Sequence, residues 1–168
     1  MLVSLSSLAC QASTPTERTM SKIVWFPNYC ASHPNTTLTY TASDMHLWVA
    51  IDASYLSKPE SRSRAGGFFF LSDTPQHRTV NALSLDTTPK NTPTPNAPVH
   101  VLAKIIANVM SSAMEANVGA SFLTTRAACQ IRVTPEEMRH PQSPTPIQVD
   151  NTKAIGFANG HIKHKHLK

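Results

Sequence analysis

"MHLWVAIDASYLSKPESRSRAGGFFFLSD", residues 45–73, holds two apolar runs on either side of a polar stretch. The first run, 45–52, is rich in strand-forming side chains and closes on Asp52. The second, 66–73, is entered through Gly66 and Gly67 and carries Phe68, Phe69 and Phe70 in succession. Residues 57–64 between them read as a polar turn. Strand, turn and strand make an antiparallel hairpin. "TLTYTA" (37–42) before it and "VHVLAKIIA" (99–107) after it also read as strands. A run of strands without intervening helices predicts a meander.

The rest of the chain changes period. "SSAMEANVGASFLTTRAACQ" (111–130) opens with Ser112 and Glu115 in capping-box spacing. Met114, Val118, Ser121, Phe122 and Thr125 fall on one helical side. Thr134-Pro135-Glu136-Glu137 opens a short helix by the same device. "PTPIQV" (144–149) is a strand and 151–159 a helix. A strand that follows a helix suggests a parallel crossover, so the sheet is expected to be mixed. Near the start, Thr14 caps, Pro15 begins and Glu17 braces a helix of about 16 residues, with Pro27 set to kink or end it. Residues 73–98 hold five prolines among Thr and Asn and read as a long, mobile surface loop.

Composition narrows the function classes. The chain has 168 residues, 40% of them apolar, enough for one domain with an attached helix. Its net charge of +5 suits a polyanionic partner without requiring one. Cys10, Cys30 and Cys129 are widely spaced and odd in number. That argues against a zinc site or a disulfide framework and for reduced thiols inside a cell, in cytoplasm or nucleus. No stretch has the apolar length of a membrane span, so no membrane partner is expected. The opening "MLVSLSSLAC" lacks the basic start and apolar length of a signal peptide, and Asn35 in its N-x-T triplet means little without one.

Two carboxylates carry the chemistry. Asp52 and Asp150 each end an apolar run. Acids at strand ends are held by the sheet and face a rim where a ligand can sit. Side by side they repel each other, and a divalent cation between them removes the conflict. Two other roles remain open at this point. Asp150 could cap the helix at 151–159, and Asp52 could close a turn. Trp25 and Trp48 have core packing as their ordinary role and base stacking as a functional one.

In order along the chain, "YTASDMHLWVAIDASYLSKPESRSRAGGFFFLSD", "SSAMEANVGASF" and "PTPIQVDNTKAIGFANGHIKHKHLK" resemble the ribonuclease H region of a Ty1/copia-type retrotransposon Pol polyprotein. "TERTMSKIVWFPNYCASHP" is similar to the helix that leaves the reverse transcriptase part of such polyproteins. The resemblance implies an α/β fold, a mixed five-stranded sheet flanked by helices. Residues 1–36 would be the end of the reverse transcriptase region, and 37–168 an RNase H-like domain. It also implies Mg²⁺-dependent cleavage of the RNA strand in an RNA–DNA hybrid, with the rest of a Pol polyprotein as partner. Asp52 would be the first metal-holding acid and Asp150 the third. Ser54, Arg62, Arg64, Asn151, Lys163 and Lys165 are the expected nucleic-acid contacts.

The chain also departs from that pattern. Where the family places its metal-binding Glu, this sequence has Asn117. Glu115 cannot replace it, because two residues turn a helix by ~200° and point it elsewhere. A neutral amide cannot offset the charge of a second cation. The tail "GHIKHKHLK" matches the basic segment before the family's fourth acid, and neither that acid nor the family's last helix follows it. The tail's basic strip suits a nucleic-acid backbone, although its histidines and lysines equally suit a solvated terminus. The expectation is a C-terminally truncated copy, inactive or weakly active as a nuclease. The alternatives are a non-catalytic nucleic-acid-binding module and a partly folded relic.

Overall fold

We describe residues 2–75, 93 and 95–160 of a computed structural model. The chain divides into two compact units, Met1–Thr39 and Tyr40–Lys168. Most of the proline-rich stretch 73–98, with its expected mobility, and the tail 161–168 lie outside the described residues.

The first unit is a helix pair, α1 (Leu2–Ala9) and α2 (Glu17–Ser32). The sequence reading gave no helix at 2–9. Nor does α2 start where expected. Thr16, not Thr14, is its N-cap, and the capping box closes with Thr19 rather than Glu17. The reason is Thr19 itself. It is buried, and its hydroxyl donates to Gln11 Oε1 at 2.9 Å, tying the cap to the α1–α2 connection. Pro27 does not end α2, which runs its full 16 residues.

The second unit is built on four strands. They are β1 (His46–Lys58), β2 (Arg62–Ser72), β3 (Pro98–Ile105) and β4 (Ile147–Val149), in the order β3-β2-β1-β4. The first three are antiparallel neighbours, and β4 runs parallel to β1. The 45–73 hairpin is longer than expected. Its arms pair from His46↔Ser72 to Ser54↔Arg64, and the turn shrinks to a single 3₁₀ turn at Pro59–Ser61. Glu60 and Ser61 both adopt positive φ there, as a tight reversal demands.

The expected strand at 37–42 is not formed. β1 already has a neighbour on each edge, and the side chain of Asn96 occupies the backbone groups instead. Its amide nitrogen donates to Thr41 O at 2.9 Å and Leu71 O at 3.0 Å, while its oxygen accepts from Thr41 N at 3.0 Å. Gln142 does the same service at the start of β1. It accepts from Leu47 N at 2.9 Å and donates to Met45 O at 2.9 Å.

α3 (Ala113–Glu137) covers one face of the sheet, and α4 (Thr152–Ala158) packs on α3 and β4. Thr134–Glu137 does not open a separate helix, because α3 continues through it. Pro135 lies in the last turn, where its missing N–H removes one bond only. Arg132 fixes this end, donating to Glu136 Oε1 at 2.8 Å, to Ser143 O at 2.9 Å and to Gln142 O.

The buried stripe of α3 is Ala116, Asn117, Ala120, Thr124 and Ala128. The expected face through Met114, Val118 and Phe122 is the wrong one, and Phe122 is exposed. Small side chains let the helix sit close to β1 and β2. Leu47, Val49 and Ile51 of β1 and Ala65 and Phe69 of β2 meet that stripe. Gly67 marks the closest approach. A Cβ added there would lie 2.6 Å from Thr124 Cγ2 and 3.0 Å from Phe69 Cε2.

Gly67→Ala is therefore expected to destabilise the fold by about 1–3 kcal/mol, read as a lower urea midpoint. Adding Thr124→Ser removes the nearer methyl and should return part of that loss. A Gly67→Ala variant as stable as the parent would contradict the close approach.

Candidate functional site

β1 and β4 bring the two acids together. The parallel register pairs Val49 with Ile147, Ala50 with Gln148 and Ile51 with Val149. Asp52 is the next residue of β1 and Asp150 the first residue after β4, so their Cα atoms are expected to lie on the order of one strand spacing apart, ~5 Å. Ile51 and Val149 turn into the core under α3. Both acids lie outside that core and are exposed. Among the described residues neither carboxylate has a hydrogen bond or an ion pair.

Both alternative roles are thereby answered. The helix cap is Asn151, whose side-chain oxygen accepts from Lys153 N at 3.0 Å and Ala154 N at 3.2 Å. Asp150 is not used for capping. Asp52 closes no turn, since β1 runs six residues beyond it to Lys58. The expectation that it ends its strand is corrected in the same way. Only β4 stops at the acids, and β1 passes through.

Two neighbours of the acids carry no sign in the sequence that they lie beside them. Gly66 pairs with Asp52 across the hairpin, and a Cβ there would meet only Asp52 O, at 3.4 Å. A bare backbone thus leaves the surface beside Asp52 open. Gln148, one rung back from Asp150, is half-buried. Register alone places them next to the acids.

Asn117 sits one turn into α3 and is buried at 5% exposure. Its nitrogen donates to Ala113 O at 3.0 Å, and its Oδ1 is buried without a hydrogen bond. It makes no hydrogen bond to either acid. Glu115 goes another way, and not as expected. Ser112 Oγ accepts from Glu115 N at 3.1 Å, which is half of a capping box. The Glu115 carboxylate passes Ser112 and accepts from Ser111 Oγ and Ser111 N, both at 2.6 Å. Those two bonds, the hydroxyl's first, hold its carboxyl below the usual carboxylate range.

The expected nucleic-acid contacts are scattered. Ser54 is exposed on β1, two residues beyond Asp52 and on the same side of the strand. Arg62 pairs with Glu60 at 2.7 Å. Arg64 is buried at 5% exposure, so its guanidinium is not presented to solvent as a phosphate contact would need. Asn151 is committed to its cap. Lys163 and Lys165 lie outside the described residues. Of the two tryptophans, Trp48 is buried with its indole N–H on Asp73 O at 3.0 Å, whereas Trp25 is exposed.

Among the described residues no group of three or more His, Cys, Asp or Glu converges as a metal site. None of their helices is long and apolar enough to cross a membrane. No family model, no curated protein and no solved structure matches the chain.

The Glu115 bonds predict a pH dependence. A carboxyl held low in the folded state adds stability above its unfolded pKa and loses it as pH falls through the folded value. Urea midpoints should therefore drop as pH falls from about 5 toward 3, and Glu115→Gln should flatten part of that limb. An unchanged acid limb in Glu115→Gln would show that the Ser111 bonds are not maintained in solution.

Proposed function

We propose that residues 37–168 form an RNase H-like domain of the copia-type retrotransposon Pol class that binds nucleic acid with its hydrolysis lost or nearly so. The observation that carries this reading is that Asp52 and Asp150 each follow directly on Ile51↔Val149, the last paired rung of β1 and β4. Two unbonded, exposed carboxylates side by side have no structural use, and their mutual repulsion opposes folding. A cation and a phosphate oxygen would give them one. The sheet adds support, because the resemblance implies a mixed sheet flanked by helices and the described strands form a mixed sheet with α3 against it. The described sheet has four strands where the resemblance implies five.

The residues fit one Mg²⁺ better than two. Mg²⁺ accepts one or two protein carboxylates and completes its shell with water and phosphate oxygens. Asp52 and Asp150 would hold it, where it would offset the charge of a phosphodiester. A second ion needs further negative charge, and Asn117 supplies only an amide oxygen. Without it, two-ion chemistry loses on the order of a thousandfold or more in rate. The orphaned Oδ1 of Asn117 favours a binding module over a nuclease.

The test uses a labelled RNA–DNA hybrid with Mg²⁺. Binding that weakens steeply between 50 and 200 mM salt is expected, with cleavage absent or very slow and removed by Asp52→Asn. Asn117→Glu alone should not restore cleavage. It places an acid at a buried position and should destabilise the fold by about 1–3 kcal/mol, read as a lower urea midpoint. Rapid cleavage by the unaltered chain, or no affinity for hybrid at low salt, would overturn the proposal.

A further inference from the structure

The outer surface of α2 carries a second recognition feature, in the other unit and independent of the sheet acids. Arg18, Lys22, Trp25, Tyr29 and His33 follow one another at spacings of four, three, four and four residues. At ~100° per residue they fall within a sector of about 80°, over a length of about 22 Å. All five are exposed. Trp25 is 75% exposed, the most of any large hydrophobic residue described. The buried side of the helix, centred on Thr19, lies about 120° away from Trp25. The sector contains no acid, since Glu17 lies about 80° from Trp25 on the other flank.

Local stability does not account for this stripe. Arg18 stands in the first turn of α2, where the helix dipole disfavours a cation. Arg18 and Lys22 have no ion pair among the described residues. Burying an indole is a large stabilisation that Trp25 forgoes. The rings are also held in place. Tyr29 and His33 stack with centroids 4.5 Å apart. His33 Nδ1 lies 3.0 Å from Tyr29 O, and Ser32 Oγ donates to the same carbonyl at 2.8 Å. With Nδ1 so engaged, the His33 ring has its orientation fixed.

We propose that this stripe binds single-stranded nucleic acid, with Trp25 and the Tyr29–His33 pair as stacking platforms and Arg18 and Lys22 as phosphate contacts. Two cations followed by three rings along one line give a strand a phosphate-binding end and a base-stacking end, the two contacts that a charged backbone with flat bases requires. A lipid surface asks for a different layout, with the apolar residues gathered on one face and the cations on the opposite one. The overall charge of +5 favours a polyanion in either case.

The two tryptophans make the test specific. Trp48 is buried, so fluorescence quenching by a ligand reports on Trp25. Titration of the full chain with oligo(dT) and oligo(U) at low salt should quench that emission. By anisotropy of a labelled oligonucleotide, Trp25→Ala should weaken binding roughly tenfold. Arg18→Gln with Lys22→Gln should reduce the slope of log affinity against log salt by about 1.4. Met20→Ala, an exposed change about 140° round the helix from Trp25, should leave affinity unchanged. Equal loss in Met20→Ala, unaltered affinity in Trp25→Ala, or shielding of Trp25 from iodide by self-association or by anionic vesicles but not by oligonucleotide would overturn the proposal. Because the sheet acids are untouched, Asp52→Asn should not alter this binding. Loss of hybrid affinity with the oligo(dT) signal intact would count against the domain reading alone.

Discussion

The close seat of α3 on the β1–β2 hairpin is the constraint on which the second unit depends. Gly67 and the Thr124 methyl leave no room for one more carbon, and Ala116, Ala120 and Ala128 keep the rest of the interface thin. The large side chains there, Leu47, Val49, Ile51 and Phe69, come from the sheet and pack against the small face of the helix, so how well the interface fills depends on the close approach. The same seat dictates the chain path afterwards. α3 must end near the start of β1, where Arg132 and Gln142 fasten the return segment by hydrogen bonds to Ser143, Met45 and Leu47. β4 then enters beside β1, with Val49 N donating to Pro146 O at 3.1 Å. The juxtaposition of Asp52 and Asp150 is a consequence of where that return segment is tied.

This explains which parts of the fold were legible in the sequence. The hairpin, β3, β4 and α4 are each written in a short apolar run with its own punctuation, and their existence was readable. What was not readable depends on partners distant in the chain. Residues 37–42 have strand composition, yet Asn96, 55 positions from Thr41, takes both backbone groups of Thr41. The face of α3 was misjudged because apolarity was taken as the mark of burial. Against a sheet with glycine at the contact, the buried face is the one with small residues, even at the cost of leaving Phe122 in water. Thr134-Pro135 looked like a helix start because the motif is local, whereas the Arg132 contacts that carry α3 through it are not.

The candidate site divides along the same line. Asp52 and Asp150 were found as acids following apolar runs, a pattern visible in sequence, although the reason given for Asp52 was incorrect. Their adjacency needed the β1–β4 register. Arg64 is one of the nucleic-acid contacts expected with the resemblance, and its burial on β2 depends on packing that its place in the sequence does not show. The two tryptophans were indistinguishable in sequence, since each stands in an apolar run. The structure separates them by exposure, and only Trp25 is available to a ligand.

Charge places a condition on any reading of the sheet edge. Two carboxylates on neighbouring chain positions at one sheet edge oppose the approach of a phosphodiester as well as each other. The basic residues near them do little to offset this, with Arg62 already paired to Glu60 and Arg64 drawn inside. A polyanion can therefore settle at Asp52 and Asp150 only with a cation between. The α2 stripe is under no such restriction, because its charges already have the sign that a phosphate backbone attracts. The two surfaces should thus respond differently to chelation. Under the proposed readings, the acid pair would need a divalent ion to meet a phosphate backbone, and the stripe would respond only to ionic strength.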